Sequence, residues 1–125
     1  MMGPMILAAV DELLFSSKIR ATAKAAGVDV TFARSPEEIL EQARAKRPAL
    51  LIFDLNSGKT DPLGTLSALK ADPELASIRA IGFASHVHTE LIAAARRAGA
   101  DQVMPRSAFA GNLADILLSA AGDRA

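Results

Sequence analysis

Residues 49–54 read Ala49-Leu50-Leu51-Ile52-Phe53-Asp54, five apolar side chains in succession that run straight into a carboxylate. So short and continuous an apolar run suits a strand buried on both faces; an amphipathic helix would interleave polar residues and a half-exposed strand would alternate them. Pro48 ends the helix before it, because the residue ahead of a proline is pushed out of the helical region. The segment is therefore read as a central strand, with Asp54 delivered at its solvent end.

A second run of this kind, Met5-Ile6-Leu7-Ala8-Ala9-Val10, closes on Asp11-Glu12 and reads as the first strand. Between the two, Phe15, Ile19, Ala23 and Ala26 recur at three- and four-residue spacing within 13–26, and Gly27 supplies a helix stop. Val28 to Ala33 alternates apolar and polar residues as a shorter strand near a sheet edge. Ser35-Pro36-Glu37-Glu38 opens the next helix: Ser caps, Pro suits the first turn and Glu38 completes a capping box.

Beyond Asp54, Asp61-Pro62 repeats the cap-plus-proline signal before Leu63, Leu66 and Leu69, and Asp72-Pro73 closes that helix. Ala80–Ala84 is a weaker strand, and Leu91, Ile92, Ala95 and Ala98 form a helical face stopped by Gly99. Asp101–Met104 is a short strand; Ser107 is placed to cap a last helix marked by Phe109, Leu113, Ile116 and Leu117, and the tail from Gly122 is expected to fray. Five strands alternating with five helices imply an α/β fold, a doubly wound parallel sheet with helices on both faces, since strand-helix-strand crossovers are right-handed.

Composition narrows the function. The 125 residues fit one domain spanning 1–125, and 50% hydrophobic with 22% charged residues suit a globular core. Fourteen basic residues balance fourteen acidic ones, so no field favours nucleic acid or an anionic membrane. The absence of cysteine excludes disulfides and thiolate chemistry, and the Met5–Val10 run is far below the ~20 residues of a membrane span, so a cytoplasmic chain is expected. Lys59-Thr60 after Gly58 lacks the earlier glycine of a phosphate-binding P-loop, and no G-x-G-x-x-G follows the first strand. Phe15, Phe53, Phe83 and Phe109 are read as core, and His86 with His88 is too sparse for a zinc site.

In such sheets chemistry collects beyond the carboxyl ends of the strands, where Asp11, Glu12, Asp54, Ser85 and Arg106 are expected to meet. Clustered carboxylates repel one another unless a cation compensates them; Mg²⁺, a hard ion that prefers oxygen, is the natural resident, with the Asn56 backbone carbonyl as a further donor.

The order Val10-Asp11-Glu12, Phe53-Asp54-Leu55-Asn56, Phe83-Ala84-Ser85 and Ala98-Gly99-Ala100-Asp101 resembles the receiver domain of bacterial two-component response regulators over nearly the whole chain. The resemblance implies a flavodoxin-like strand order 2-1-3-4-5 and a signalling module rather than an enzyme. It implies that Asp11 and Glu12 hold Mg²⁺, that Asp54 accepts a phosphoryl group, and that Ser85 and Arg106 contact it, with Ala84 the alternative occupant of the hydroxyl position. Its implied partners are a histidine kinase or phosphotransfer protein and a downstream protein, with a homodimer also open. The implied contact face is the fourth and fifth helices with the strand between them, where Arg96 and Arg97 lie.

The chain departs from that family at several places. Arg106-Ser107 stands where lysine-proline is usual, Val103 where an aromatic switch residue is usual, and His86 where a small residue follows the hydroxyl. The loop after Asp54 lacks the usual proline, and Lys59 is available there as a substitute cation. Arg106, Val103 and His86 favour the alternative, a phosphorylation-independent pseudo-receiver acting as an interaction or dimerisation module, and the intact Asp11, Glu12 and Asp54 oppose it.

Overall fold

Strand β3 (Leu50–Asp54) is buried along its whole length, as its apolar run requires, and it includes Asp54 as its last residue. It pairs with β1 (Met5–Ala9) on one side and β4 (Ala80–Ala84) on the other; β2 (Asp29–Phe32) and β5 (Gln102–Pro105) form the edges. All four pairings are parallel, and the strand order is β2-β1-β3-β4-β5. This computed structural model describes residues 5–85 and 88–122, so His86, the bulky residue after the hydroxyl position, and the tail from Asp123 lie outside the described residues.

The strand alternation divides the core into two layers. Leu7, Ala9, Leu51 and Phe53 face Ile39 and Ala43 of α2 (Pro36–Lys46), Leu66 and Leu69 of α3 (Pro62–Ala71) and Ala95 of α4 (Thr89–Ala98). Ile6, Ala8, Leu50, Ile52 and Phe83 face Ile19 and Ala23 of α1 (Leu13–Ala26), Phe109 of α5 (Arg106–Gly111) and Leu113 and Leu117 of α6 (Leu113–Gly122). Each fully buried Leu, Ile or Phe contributes about 1.5–3 kcal/mol, so the two faces hold the sheet without any cross-link.

Local signals account for most helix ends. Ser35 Oγ accepts the Glu38 N–H at 3.1 Å, and Glu38 Oε1 accepts the Arg34 N–H at 2.8 Å, so the capping box forms. Gly27 ends α1 at φ 74°. Gly99 ends α4 at φ 118°, and a Cβ there would stand 2.3 Å from Cγ of Lys70.

Three expectations are corrected. The last helix is two helices: Asn112, at φ −113° and ψ 15°, ends α5, and its side-chain amide donates to the Ala108 carbonyl at 2.8 Å. Six helices among the described residues therefore replace the expected five. Asp61 precedes α3 in a left-handed conformation (φ 43°) without a side-chain cap bond, so it supports the helix only through its carbonyl, which accepts the Thr65 N–H at 2.8 Å. Ser107 is not a cap; α5 begins at Arg106, with Pro105 in the capping position.

Candidate functional site

Asp54 closes β3 on the face of the sheet that carries Ile52, and its register partner on β4 is Phe83. The residue is only 4% exposed. Burial pushes its carboxyl above the usual aspartate range; the Asn56 N–H, which donates to Oδ1 at 3.0 Å, and the Arg106 cation oppose that rise, while Asp11 and Glu12 add to it as like charges. The charges of Asp11, Glu12 and Arg106 thus reach Asp54 from the ends of the neighbouring strands. Lys59 is exposed, and Arg106 is the cation that acts on Asp54.

Glu12 is engaged in a way its strand-end position alone did not reveal. It is the N-cap of α1, and its two carboxylate oxygens accept the Leu14 N–H at 2.7 Å and the Phe15 N–H at 3.1 Å. Asp11 is half-buried and makes no hydrogen bond or ion pair among the described residues. Among the described residues no three acidic or histidine side chains stand close enough to form a ready-made metal cage. The donor set still fits a hard divalent ion: Asp11 and Asp54 supply two carboxylates that repel each other without one, and Mg²⁺ takes its remaining ligands from water and carbonyls.

Asn56 ties two loops together. Its Oδ1 accepts the Ser85 N–H at 3.3 Å, which orients the amide so that Nδ2 donates to His88 Nδ1 at 2.9 Å. The loop after β3 is thereby fastened to the loop after β4, and Ser85 follows the last residue of β4 beside it. In the sequence His88 stands only in the sparse His86–His88 pair; no local pattern connects it with Asn56, because the crossover through α3 and β4 lies between them.

Beside these residues lies a groove of about 590 Å³ whose lining includes Leu14, Phe15, Lys18, Ser85, Pro105 and Arg106. The structure thus brings Ser85 and Arg106 to one groove. Arg106 places its guanidinium carbon 5.6 Å from the centroid of the Phe15 ring. Phe83 and Phe109 are core as expected, whereas Phe15 is half-buried and reaches the groove.

The chain matches no protein-family model and no curated protein sequence. Its fold, however, is shared with many solved structures. A response regulator from Hahella chejuensis superposes with a TM-score of 0.83 at 17% identity, over 94% of this chain and 95% of that one. A phosphorylated cyanobacterial phytochrome response regulator, RcpA, gives 0.77 at 22% identity, over 94% and 91%. The Mn²⁺-bound form of the response regulator Rcp1 gives 0.74 at 20% identity, over 95% and 90%.

Topology therefore defines a doubly wound α/β protein whose central strand ends on Asp54, within the field of Asp11 and Glu12. The fold is that of response-regulator receiver domains. No helix among the described residues is long and apolar enough to cross a membrane.

Proposed function

We propose that the chain is a signalling receiver that accepts a phosphoryl group on Asp54 and relays the change to a protein partner. The observation that carries this reading is the environment of Asp54: a desolvated carboxylate at a strand end, with Arg106 as its compensating cation and Asp11 and Glu12 as neighbouring acids. Structural neighbours described as phosphorylated and as Mn²⁺-bound support it at the level of the fold.

In this reading an Asp54 carboxylate oxygen attacks the phosphorus of the donor, and the bond from phosphorus to the leaving group breaks with its electron pair departing on that group. The Asn56 N–H holds Oδ1 and so orients the carboxylate. Arg106 and the Ser85 hydroxyl, both on the groove wall, meet the phosphoryl oxygens as charge builds on them. Asp11 and Asp54, with the Asn56 carbonyl, would hold Mg²⁺, and Glu12 would act beside them while its carboxylate caps α1. The ion supplies charge neutralisation at the transferring phosphoryl group.

The relay would reach a histidine kinase or phosphotransfer protein on the input side and a protein partner on the output side, in the cytoplasm. The pseudo-receiver reading retains one observation in its favour: Val103, at the position of the usual aromatic switch, is a small buried core residue with no ring to rotate.

Intact-mass measurement after incubation with Mg²⁺ and acetyl phosphate separates the two. A phosphoryl adduct in the wild type and none in Asp54→Asn supports the receiver. No adduct in the folded wild type, with the ion present, leaves the interaction module. Charge reversal at Arg96 and Arg97 then tests the face of α4, β5 and the helix after it as the partner surface.

A further inference from the structure

The Arg106 side chain makes no hydrogen bond or ion pair among the described residues; its contacts are the ring of Phe15 and the field of Asp54. Phe15 is itself held firmly. Its ring stacks on Phe83 at 5.0 Å, Phe83 stacks on Phe109 at 4.3 Å, and its backbone N–H is anchored by Glu12. Phe83 and Phe109 are fully buried, so the inner side of the Phe15 ring is fixed by core packing. Phe83 is also the register partner of Asp54, which sets this column of rings against the strand end that carries the carboxylate.

We propose that Phe15 is a positioning residue for Arg106, a ring backed by the core that holds the guanidinium at the wall of the groove on the Asp54 side of the sheet. A planar guanidinium lies on an aromatic face, whereas a lysine ammonium is a strongly hydrated point charge on a flexible stem. Arginine at this position is thus matched to the ring across the groove. Glu12 takes part indirectly, because its cap fixes the turn of α1 that presents the ring. The contact stands on geometry alone; its consequence for phosphotransfer rests on the function proposed above.

The test follows the Arg106 side-chain Nε–Hε resonance by NMR and, in parallel, acetyl phosphate labelling by intact mass. In the wild type the ring current displaces the Hε signal. Phe15→Leu, which keeps apolar volume and removes the ring, returns it to the ordinary arginine position, and Phe15→Trp restores a displacement. Phe15→Leu also raises the acetyl phosphate concentration for half-maximal labelling about two- to fivefold, the fold-change of an exposed cation–π contact of about 0.5–1 kcal/mol. Phe15→Trp recovers it. In an Arg106→Lys background Phe15→Leu adds no further loss.

An Arg106 signal that is the same in the wild type and Phe15→Leu overturns the proposal, as does an equal labelling loss in the Arg106→Lys background. If the wild type takes no label, the receiver reading fails by itself. The resonance then decides the inference: displacement by both Phe15→Leu and Asp54→Asn sustains it, and indifference to either overturns it. Circular dichroism establishes that each variant is folded, and Phe15→Trp carries the comparison if Phe15→Leu is not.

Discussion

The two ends of one sheet treat their carboxylates in opposite ways. At the amino end, Asp101 Oδ2 accepts the Ala80 N–H at 2.8 Å and the Lys70 ammonium at 3.3 Å, and the same ammonium donates to the Ala76 and Ile78 carbonyls. Asp72 accepts from Arg44 at 2.9 Å and from the Glu74 N–H, and both bonds hold its carboxyl below the usual range. At the carboxyl end no ion pair forms among the described residues: Asp11 has no such partner, Glu12 is spent on a helix cap, and Asp54 has one backbone donor. Satisfied carboxylates stabilise a fold, whereas a desolvated one pushed upward is tolerated only where something else requires it. The contrast separates a structural end from a functional end.

The largest effect expected at the functional end is complete loss of the phosphoryl adduct in Asp54→Asn, read by intact mass. The same substitution raises the thermal midpoint at pH 7, because it removes a buried charge that the fold disfavours. A lowered midpoint would mean that Asp54 is satisfied like its amino-end counterparts, and the comparison would break.

Next in size, Asp101→Ala costs about 1–3 kcal/mol in chemical denaturation, since the Ala80 N–H and the Lys70 ammonium lose their acceptor. Labelling of Asp54 stays at wild-type level, because this end does not reach the site.

Glu12→Ala costs about 0.5–2 kcal/mol, the usual range for a lost cap, and Glu12→Gln recovers part of it through its remaining oxygen. Unchanged stability with a strongly altered Mg²⁺ requirement would instead assign Glu12 to the ion.

A pH series sharpens the contrast through its sign. The folded-state pKa of Asp54 lies above the unfolded value, so its contribution is fully present below the unfolded pKa and lost as pH rises through the folded one. The advantage of Asp54→Asn over the wild type therefore shrinks as acid is added through the carboxylate range. Asp72 behaves in reverse: its contribution is present above the unfolded pKa and lost as pH falls through the depressed one. Arg44→Ala is the smallest change, an exposed pair whose effect on the thermal midpoint fades with added salt.

Much of the fold was legible because its signals are local. The apolar runs of β1 and β3, the Ser35–Glu38 box and the glycines at 27 and 99 each act over a few residues, and each appears as read. The break at Asn112 was obscured by a periodicity that continues across it through Phe109, Leu113 and Leu117, all of which are buried. Asp61 carries the letters of a cap, but its left-handed backbone leaves no side-chain cap bond.

The site divides in the same way. Asp54, Asp11 and Glu12 were visible because each ends or follows an apolar strand, a matter of chain order alone. Glu12 as a cap and Glu12 as a metal neighbour fit the same local sequence, and only the folded turn shows both its oxygens on backbone N–H groups.

The amino-acid sequence by itself determined the alternation of strands and helices, the burial of the middle strands and the delivery of acids to their carboxyl ends, because side-chain period and capping operate within a few residues. Tertiary structure alone decided that Arg106 lies on Phe15, that Asn56 joins Ser85 to His88, and that Asp54 is desolvated while Asp101 is paired. Those outcomes depend on register and helix packing, which set distances between residues that the chain itself keeps far apart.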